Sequence, residues 1–138
     1  MISQRIMEEQ AASSLRDILR NSPGLTFQAG EGGTPAGDQM TIRGFSARTD
    51  MFVDGVRDLG GYARDSFNLE QVEVAKGPTS ATAGRGSTGG SVNLVSKTPH
   101  GLERKTTALA VGTDSYQRAT LEINQPLNED QAVRVNAM

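Results

Sequence analysis

The chain of 138 residues has no cysteine and no tryptophan. Without thiols it has no disulfide and no thiolate metal site. Its one histidine, His100, cannot build a histidine metal cluster. Aromatic residues are scarce, with four Phe and two Tyr. Neither sign of charge dominates: 14 Lys and Arg stand against 16 Asp and Glu with no block of either, which argues against a nucleic-acid partner. No apolar run reaches the roughly 18 residues of a membrane-spanning helix. The opening Met1-Ile2-Ser3-Gln4-Arg5 leads into an acidic segment, not into the apolar stretch of a signal peptide. These limits fit one domain, or one domain with a piece of another. Glycine is plentiful: 16 residues, most of them between 24 and 101, imply many tight turns.

The stretch Gly84-Arg85-Gly86-Ser87-Thr88-Gly89 is a literal G-x-G-x-x-G. A dinucleotide loop needs a strand before it and a helix after it, so that the helix N-terminus meets the pyrophosphate. Here Ser91-Val92-Asn93-Leu94-Val95-Ser96-Lys97 follows, and Val92 and Leu94 alternate with Asn93. That is the period of a strand. No Gly-Lys-Ser/Thr follows either, which excludes a P-loop. The glycines read as a turn feeding a strand.

Earlier segments mix short helices with short strands. Gln4 to Glu9 predicts a helical turn. Ser14-Leu15-Arg16-Asp17 predicts a capped helix start, with a hydroxyl at the N-cap and a carboxylate three residues on. Leu15, Ile18 and Leu19 make one apolar stripe, and Asn21-Ser22-Pro23-Gly24 ends the helix. Leu25 to Gln28 and Met40 to Arg43 read as strands around a glycine-rich loop at 29–39. Asp54-Gly55, between Met51-Phe52-Val53 and Val56-Arg57, is a hairpin signal. After a loop at 58–68, Val72 and Val74 mark another strand, which Gly77-Pro78 breaks. A helical turn is expected at 79–83. The fold class expected to about residue 100 is α+β.

Beyond Pro99-His100-Gly101 the texture changes. Ala119, Leu121 and Ile123 alternate with Arg118, Thr120, Glu122 and Asn124, and Val133, Val135 and Ala137 alternate with Arg134 and Asn136. Residues 104–111 read as a less regular first strand. The pattern fits an antiparallel meander with one wet face. The alternative is a membrane barrel wall, apolar toward lipid and polar toward a lumen.

Five segments, in order, resemble the plug domain of TonB-dependent outer-membrane receptors. They are Leu15-Arg16-Asp17-Ile18-Leu19-Arg20-Asn21-Ser22-Pro23-Gly24-Leu25, Ile42-Arg43-Gly44-Phe45, Val53-Asp54-Gly55-Val56, Leu69-Glu70-Gln71-Val72-Glu73-Val74-Ala75-Lys76-Gly77-Pro78, and Gly84 to Lys97. The resemblance implies a plug with a small mixed β-sheet and short helices over residues 1–100. It also implies that residues 101–138 are the first two to three strands of a truncated barrel of about 22 strands. Val53 to Gly60, with Arg64-Asp65-Ser66-Phe67, is similar to the catecholate branch of the family.

By that resemblance the receptor binds a ferric siderophore at the outer membrane of a Gram-negative bacterium, and TonB, powered by the inner-membrane proton gradient, drives import. The siderophore would hold the iron, so no cofactor or metal ligand is expected of the chain. A ferric tris-catecholate is a bulky anion with aromatic faces. Arginine suits it through permanent charge, several donors and a stacking plane. The expected substrate-binding residues are Arg57, Tyr62, Arg64 and Phe67, with Arg43 and Arg48 behind them. Lys76 and Arg85 are expected to hold the plug against barrel-wall carboxylates. Glu70 and Glu73 are expected to be structural, and Asp54 a turn residue. Asp54, Asp58 and Asp65 with His100 have no fixed spacing and no nucleophile, so no enzyme is expected. No TonB box precedes residue 1, and nearly all of the barrel is missing, so the expectation is a fragment unable to transport alone. The alternative is a stand-alone plug-like interaction module whose unpaired strands self-associate. On either reading the isolated chain is expected to form multimers in light scattering. Deletion of residues 101–138 is then expected to give a soluble monomer.

Overall fold

The computed structural model describes residues 1–28, 37–48, 50–78 and 88–138. Most of the loop expected at 29–39, the helical turn expected at 79–83, and Arg85 lie outside those residues. The chain divides into two compact units, Met1–Ser96 and Lys97–Met138.

The first unit opens with β1 (Ile2–Ser3), α1 (Gln4–Glu9) and α2 (Leu15–Leu19). The start of α2 is a reciprocal cap. Ser14 Oγ accepts from the Asp17 amide at 3.2 Å and lies 2.7 Å from Asp17 Oδ2. That hydroxyl is the main reason the Asp17 carboxyl sits below its usual range; the Arg20 charge adds to it. Leu15, Ile18 and Leu19 are all buried, as their i, i+3, i+4 spacing requires.

Three strands follow as a meander: β2 (Leu25–Phe27), β3 (Met40–Ile42) and β4 (Phe45–Ser46). The remaining strands, β5 (Met51–Val53), β6 (Val56–Arg57), β7 (Leu69–Lys76) and β8 (Gly90–Ser96), join β1 in a mixed sheet of order β1-β7-β8-β5-β6. The β5–β8 pair is parallel and the rest antiparallel. Both tight hairpins turn through two residues with positive φ: Arg43 at 52° and Gly44 at 84°, Asp54 at 50° and Gly55 at 79°. These are the left-handed values of a type I′ turn, the form whose twist matches the strands it joins. Met7, the α2 stripe, Leu25, Met40, Ile42, Met51, Val72, Val92 and Leu94 form one core.

The mixed sheet has two distinct ends. Ser96 ends β8 beside Leu69, the start of β7, and its amide donates to Asp54 Oδ1 at 2.7 Å. The Asp54-Gly55 turn therefore lies at the end where β8 finishes. The opposite end holds Lys76, paired with Gly90, and the Asp50 carbonyl, which accepts from the Val92 amide at 3.0 Å.

The second unit is an antiparallel meander of β9 (Arg104–Val111), β10 (Gln117–Pro126) and β11 (Ala132–Ala137), in the order β11-β10-β9. Its polarity is inverted relative to a sheet packed on an oily core. Glu122 and Asn124 on the polar face are buried, whereas Leu109 and Val111 are 78% and 86% exposed and Leu121, Val133 and Val135 are open on the apolar face. The segment 97–102 lies across the polar face as a strap. Lys97 Nζ meets Glu122 Oε2 at 2.6 Å, and Arg134 donates to Glu122 Oε1 at 2.6 Å and to the Thr98 carbonyl at 2.9 Å. Asn124, wholly buried, accepts from the His100 amide at 3.1 Å and donates to the carbonyls of His100 and Leu102 at 2.8 and 2.6 Å.

The α2 stripe and its cap give a direct stability test. Ile18→Ala is expected to cost about 3 kcal/mol as a buried large-to-small change. Ser14→Ala is expected to cost about 1 kcal/mol as a lost N-cap. Urea unfolding of each variant measures both.

Candidate functional site

Arginines and a tyrosine collect at the Lys76–Gly90 end of the mixed sheet. Arg57 ends β6 there. Its guanidinium stands 5.4 Å from the Phe52 ring centroid and 4.0 Å from Asp50 Oδ1. Burial pushes the Asp50 carboxyl above its usual range, while the Arg57 charge pulls the other way. Arg48 is exposed two residues before Asp50. The Arg43-Gly44 turn is exposed too. It reaches this end because the place of a Gly89 side chain is taken by the Ile42 carbonyl and Phe45 Cβ, and Gly89 is next to Gly90. Lys76 is exposed at the end of β7.

The loop after β6 is organised by one buried cation. Arg64 is 6% exposed and Tyr62 is 55% exposed. Arg64 Nη2 donates to Asp58 Oδ2 at 2.7 Å and to the Gly60 carbonyl at 2.8 Å, and Nε donates to Asp58 Oδ2 at 3.2 Å. Nη1 donates to the Tyr62 carbonyl at 3.1 Å and pairs with Asp38 Oδ2 at 3.5 Å. The guanidinium carbon lies 4.2 Å from the Tyr62 ring centroid, within cation–π range. The Tyr62 hydroxyl donates to Asp58 Oδ2 at 2.7 Å, and the Gly60 amide to Asp58 Oδ1 at 2.8 Å. Gly60 has no side chain because one would occupy the Tyr62 ring position. Asp38 comes from 26 residues away; its carboxylate receives the Arg64 amide at 2.7 Å.

The two carboxylates on Arg64 are driven in opposite directions. The Tyr62 hydroxyl, then Arg64 and the Gly60 amide, hold Asp58 down at about 2. The same Asp58 bond raises the Tyr62 phenol above its ordinary value. Burial raises Asp38 despite the Arg64 amide and charge.

Of the expected substrate residues, the fold brings Arg43, Arg48, Arg57, Tyr62 and Arg64 toward one end. Phe67 is set apart. Two residues before Leu69, it lies near the start of β7, about 23 Å along that strand from Lys76 at about 3.3 Å per residue. Below Arg64 the loop is stitched to the start of α2: the Leu15 amide donates to the Arg64 carbonyl at 3.0 Å, and Ser66 Oγ to the Ala12 carbonyl at 2.6 Å. Glu73 binds Asn93 at 3.0 Å and Gln71 at 2.9 Å, a structural role across the sheet. Sequence reasoning did not single out Asp38, or Asp58 as the centre of the loop. Asp58-Leu59-Gly60 does carry a signal, since Asp two residues before Gly favours an Asx turn. Among the described residues no cluster of His, Asp and Glu could hold a metal ion.

The family model for the TonB-dependent Receptor Plug Domain matches residues 1–91. The chain belongs to that family. It is 46% identical over 138 residues to the probable TonB-dependent receptor BfrD of Bordetella pertussis, covering all of this chain and 19% of that protein. The crystal structure of the siderophore receptor PiuA from Acinetobacter baumannii superposes with a TM-score of 0.91 at 44% identity, over 98% of this chain and 19% of that one. The ferric-catecholate import receptor Fiu of Escherichia coli K12, in its open form, superposes with a TM-score of 0.87 at 36% identity, over 97% of this chain and 19% of that one. The chain spans 18 to 19% of the length of the curated relatives BfrD, PiuA and Fiu.

The Asp58 centre predicts an acid-side transition. A carboxyl held at about 2 in the fold, against about 3.9 unfolded, adds stability above roughly pH 4. That stability is lost as the pH falls through about 2. Asp38 and Asp50, raised by burial, act with the opposite sign. Asp58→Asn is expected to flatten the loss between pH 4 and 2, as measured by denaturant unfolding at several acid pH values.

Proposed function

We propose that the chain is the plug, with the first barrel strands, of an outer-membrane receptor that binds a ferric catecholate siderophore and imports it with TonB-coupled energy. The observation that carries the ligand reading is the placing of Arg57 and Tyr62 around the Asp50–Asp58 end of β5 and β6, with exposed Arg48 two residues before Asp50 and exposed Arg43 at the turn beside Gly89. Exposed and half-exposed guanidiniums meet the negative charge of such a ligand, and the aromatic surface meets its rings. Arg64 contributes by ordering Tyr62. The names of PiuA, a siderophore receptor, and of Fiu, a ferric-catecholate receptor, agree with the reading.

The barrel reading of the second unit rests on its inverted polarity. A wall strand turns apolar residues to lipid and polar ones to the lumen, and the strap and Glu122 occupy the polar side. In the whole receptor, Lys76 is assigned to a barrel-wall carboxylate, and Arg85 with it. No covalent chemistry is assigned; iron is cargo, held by its siderophore. The relatives lend no support to a stand-alone interaction module. Of the strands expected to be unpaired, β10 is the middle of the meander, paired with both β9 and β11, so self-association of the isolated chain is left to the outer edges of β9 and β11 and to the exposed apolar face.

Blotting fractionated native cells with an antibody to this chain tests the receptor reading. A band several times larger than 138 residues, in the outer membrane and raised by iron starvation, is expected. A soluble band of 138 residues, indifferent to iron, would overturn it. In the full-length receptor, Arg57→Ala with Arg48→Ala is expected to weaken binding of an iron(III) tris-catecholate by about tenfold or more, as two charge-assisted contacts are lost.

A further inference from the structure

Hydrogen bonding around Tyr62 is turned inward, onto the protein. A guanidinium has five N–H donors, and a carboxylate has about four acceptor sites. Arg64 directs its five at Asp58 twice, at Asp38, and at the carbonyls of Gly60 and Tyr62. Asp58 accepts two from Arg64 and one from the Tyr62 hydroxyl at Oδ2, and one from the Gly60 amide at Oδ1. The Arg64 donors are all directed at the protein, and the one acceptor site left, on Asp58 Oδ1, repels an anionic ligand. What the cluster offers outward is the ring of Tyr62, more than half exposed.

We propose that Asp58 is a positioning residue. Its carboxylate fixes the Tyr62 hydroxyl and the Arg64 guanidinium together, so that one ring face is held against the cation and the other is presented to an aromatic, anionic ligand. The ligand class rests on the ferric catecholate reading; the arrangement does not. A free surface tyrosine loses rotamer freedom when a ligand stacks on it. Here the Asp58 bond at 2.7 Å and the guanidinium at 4.2 Å already hold the ring, and Gly60 leaves room beneath it. The cation behind the ring also draws electron density from the outer face, which favours stacking by an electron-rich catecholate.

The chain has two tyrosines and no tryptophan, so Tyr116→Phe leaves Tyr62 as its sole phenol, read at wavelengths above the phenylalanine bands. In that background Asp58→Asn is expected to lower the alkaline ionisation of the Tyr62 phenol and to flatten its near-ultraviolet circular dichroism. Far-ultraviolet dichroism checks that the fold is kept, and Asp58→Glu is expected to restore part of the signal. In the full-length receptor, Asp58→Asn and Tyr62→Phe are each expected to weaken binding of an iron(III) tris-catechol complex by about two- to tenfold, the range set by freeing one immobilised side chain. The double variant is expected to be no worse than either single one, because both break the same bond. Identical Tyr62 spectra with and without Asp58 would overturn the proposal. So would altered spectra with unchanged affinity, or additive losses in the double variant. A wild-type receptor that ignores the ferric probe, while Asp58→Asn still shifts the Tyr62 spectra, would instead overturn the ligand class and leave the positioning role in place.

Discussion

One parallel strand pair sets the layout of the first unit. β8 lies between β7, which runs against it, and β5, which runs with it. Parallel neighbours cannot be joined by a tight turn, so the chain between them must make a crossover. That crossover contains β6, the loop after it and β7. Because β5 and β8 both run toward the Asp54–Ser96 end, β6 returns the chain to the other end, and the loop begins there. The pairing is strongly specified. Val92 and Leu94 are buried on one face while Asn93 on the other binds Glu73 and the Gly55 amide. A slip of one residue would exchange them.

Within that layout the arginines divide their work. Arg64 is enclosed and its charge is answered by two aspartates; it shapes the loop. Arg43 and Arg48 are exposed, and Arg57 keeps part of its surface beside a half-buried phenylalanine. A buried, fully paired guanidinium rigidifies what surrounds it, whereas an exposed one keeps its donors for something else.

The legible features were local ones. Asp54-Gly55, the Ser14 to Asp17 cap and the Leu15-Ile18-Leu19 stripe involve residues a few positions apart, and each formed as read. Alternation in residues 117–126 marked two faces correctly. It could not say which one water meets, since a period of two is the same in oil and in water. The burial of Arg64 was not legible because it depends on Asp38, far off in sequence and delivered by the meander. The separation of Phe67 from Arg57 was not legible either. The two lie ten positions apart on one stretch of sequence, and only the direction of β7 carries Phe67 away from the end that Arg57 faces.

The strap over the polar face has a mechanical meaning. Tension arriving along the backbone at Lys97 is shared among Glu122, Asn124 and Arg134, which belong to two strands, before it reaches Arg104, the first residue of β9. On the other side of the junction, Ser96 is held by its pairing with Leu69 and by the Asp54 carboxylate. Those contacts sit at a strand terminus, where they open one after another. The backbone around residues 96–97 is thus held by side chains of two strands on the meander side and at a single strand terminus on the mixed-sheet side.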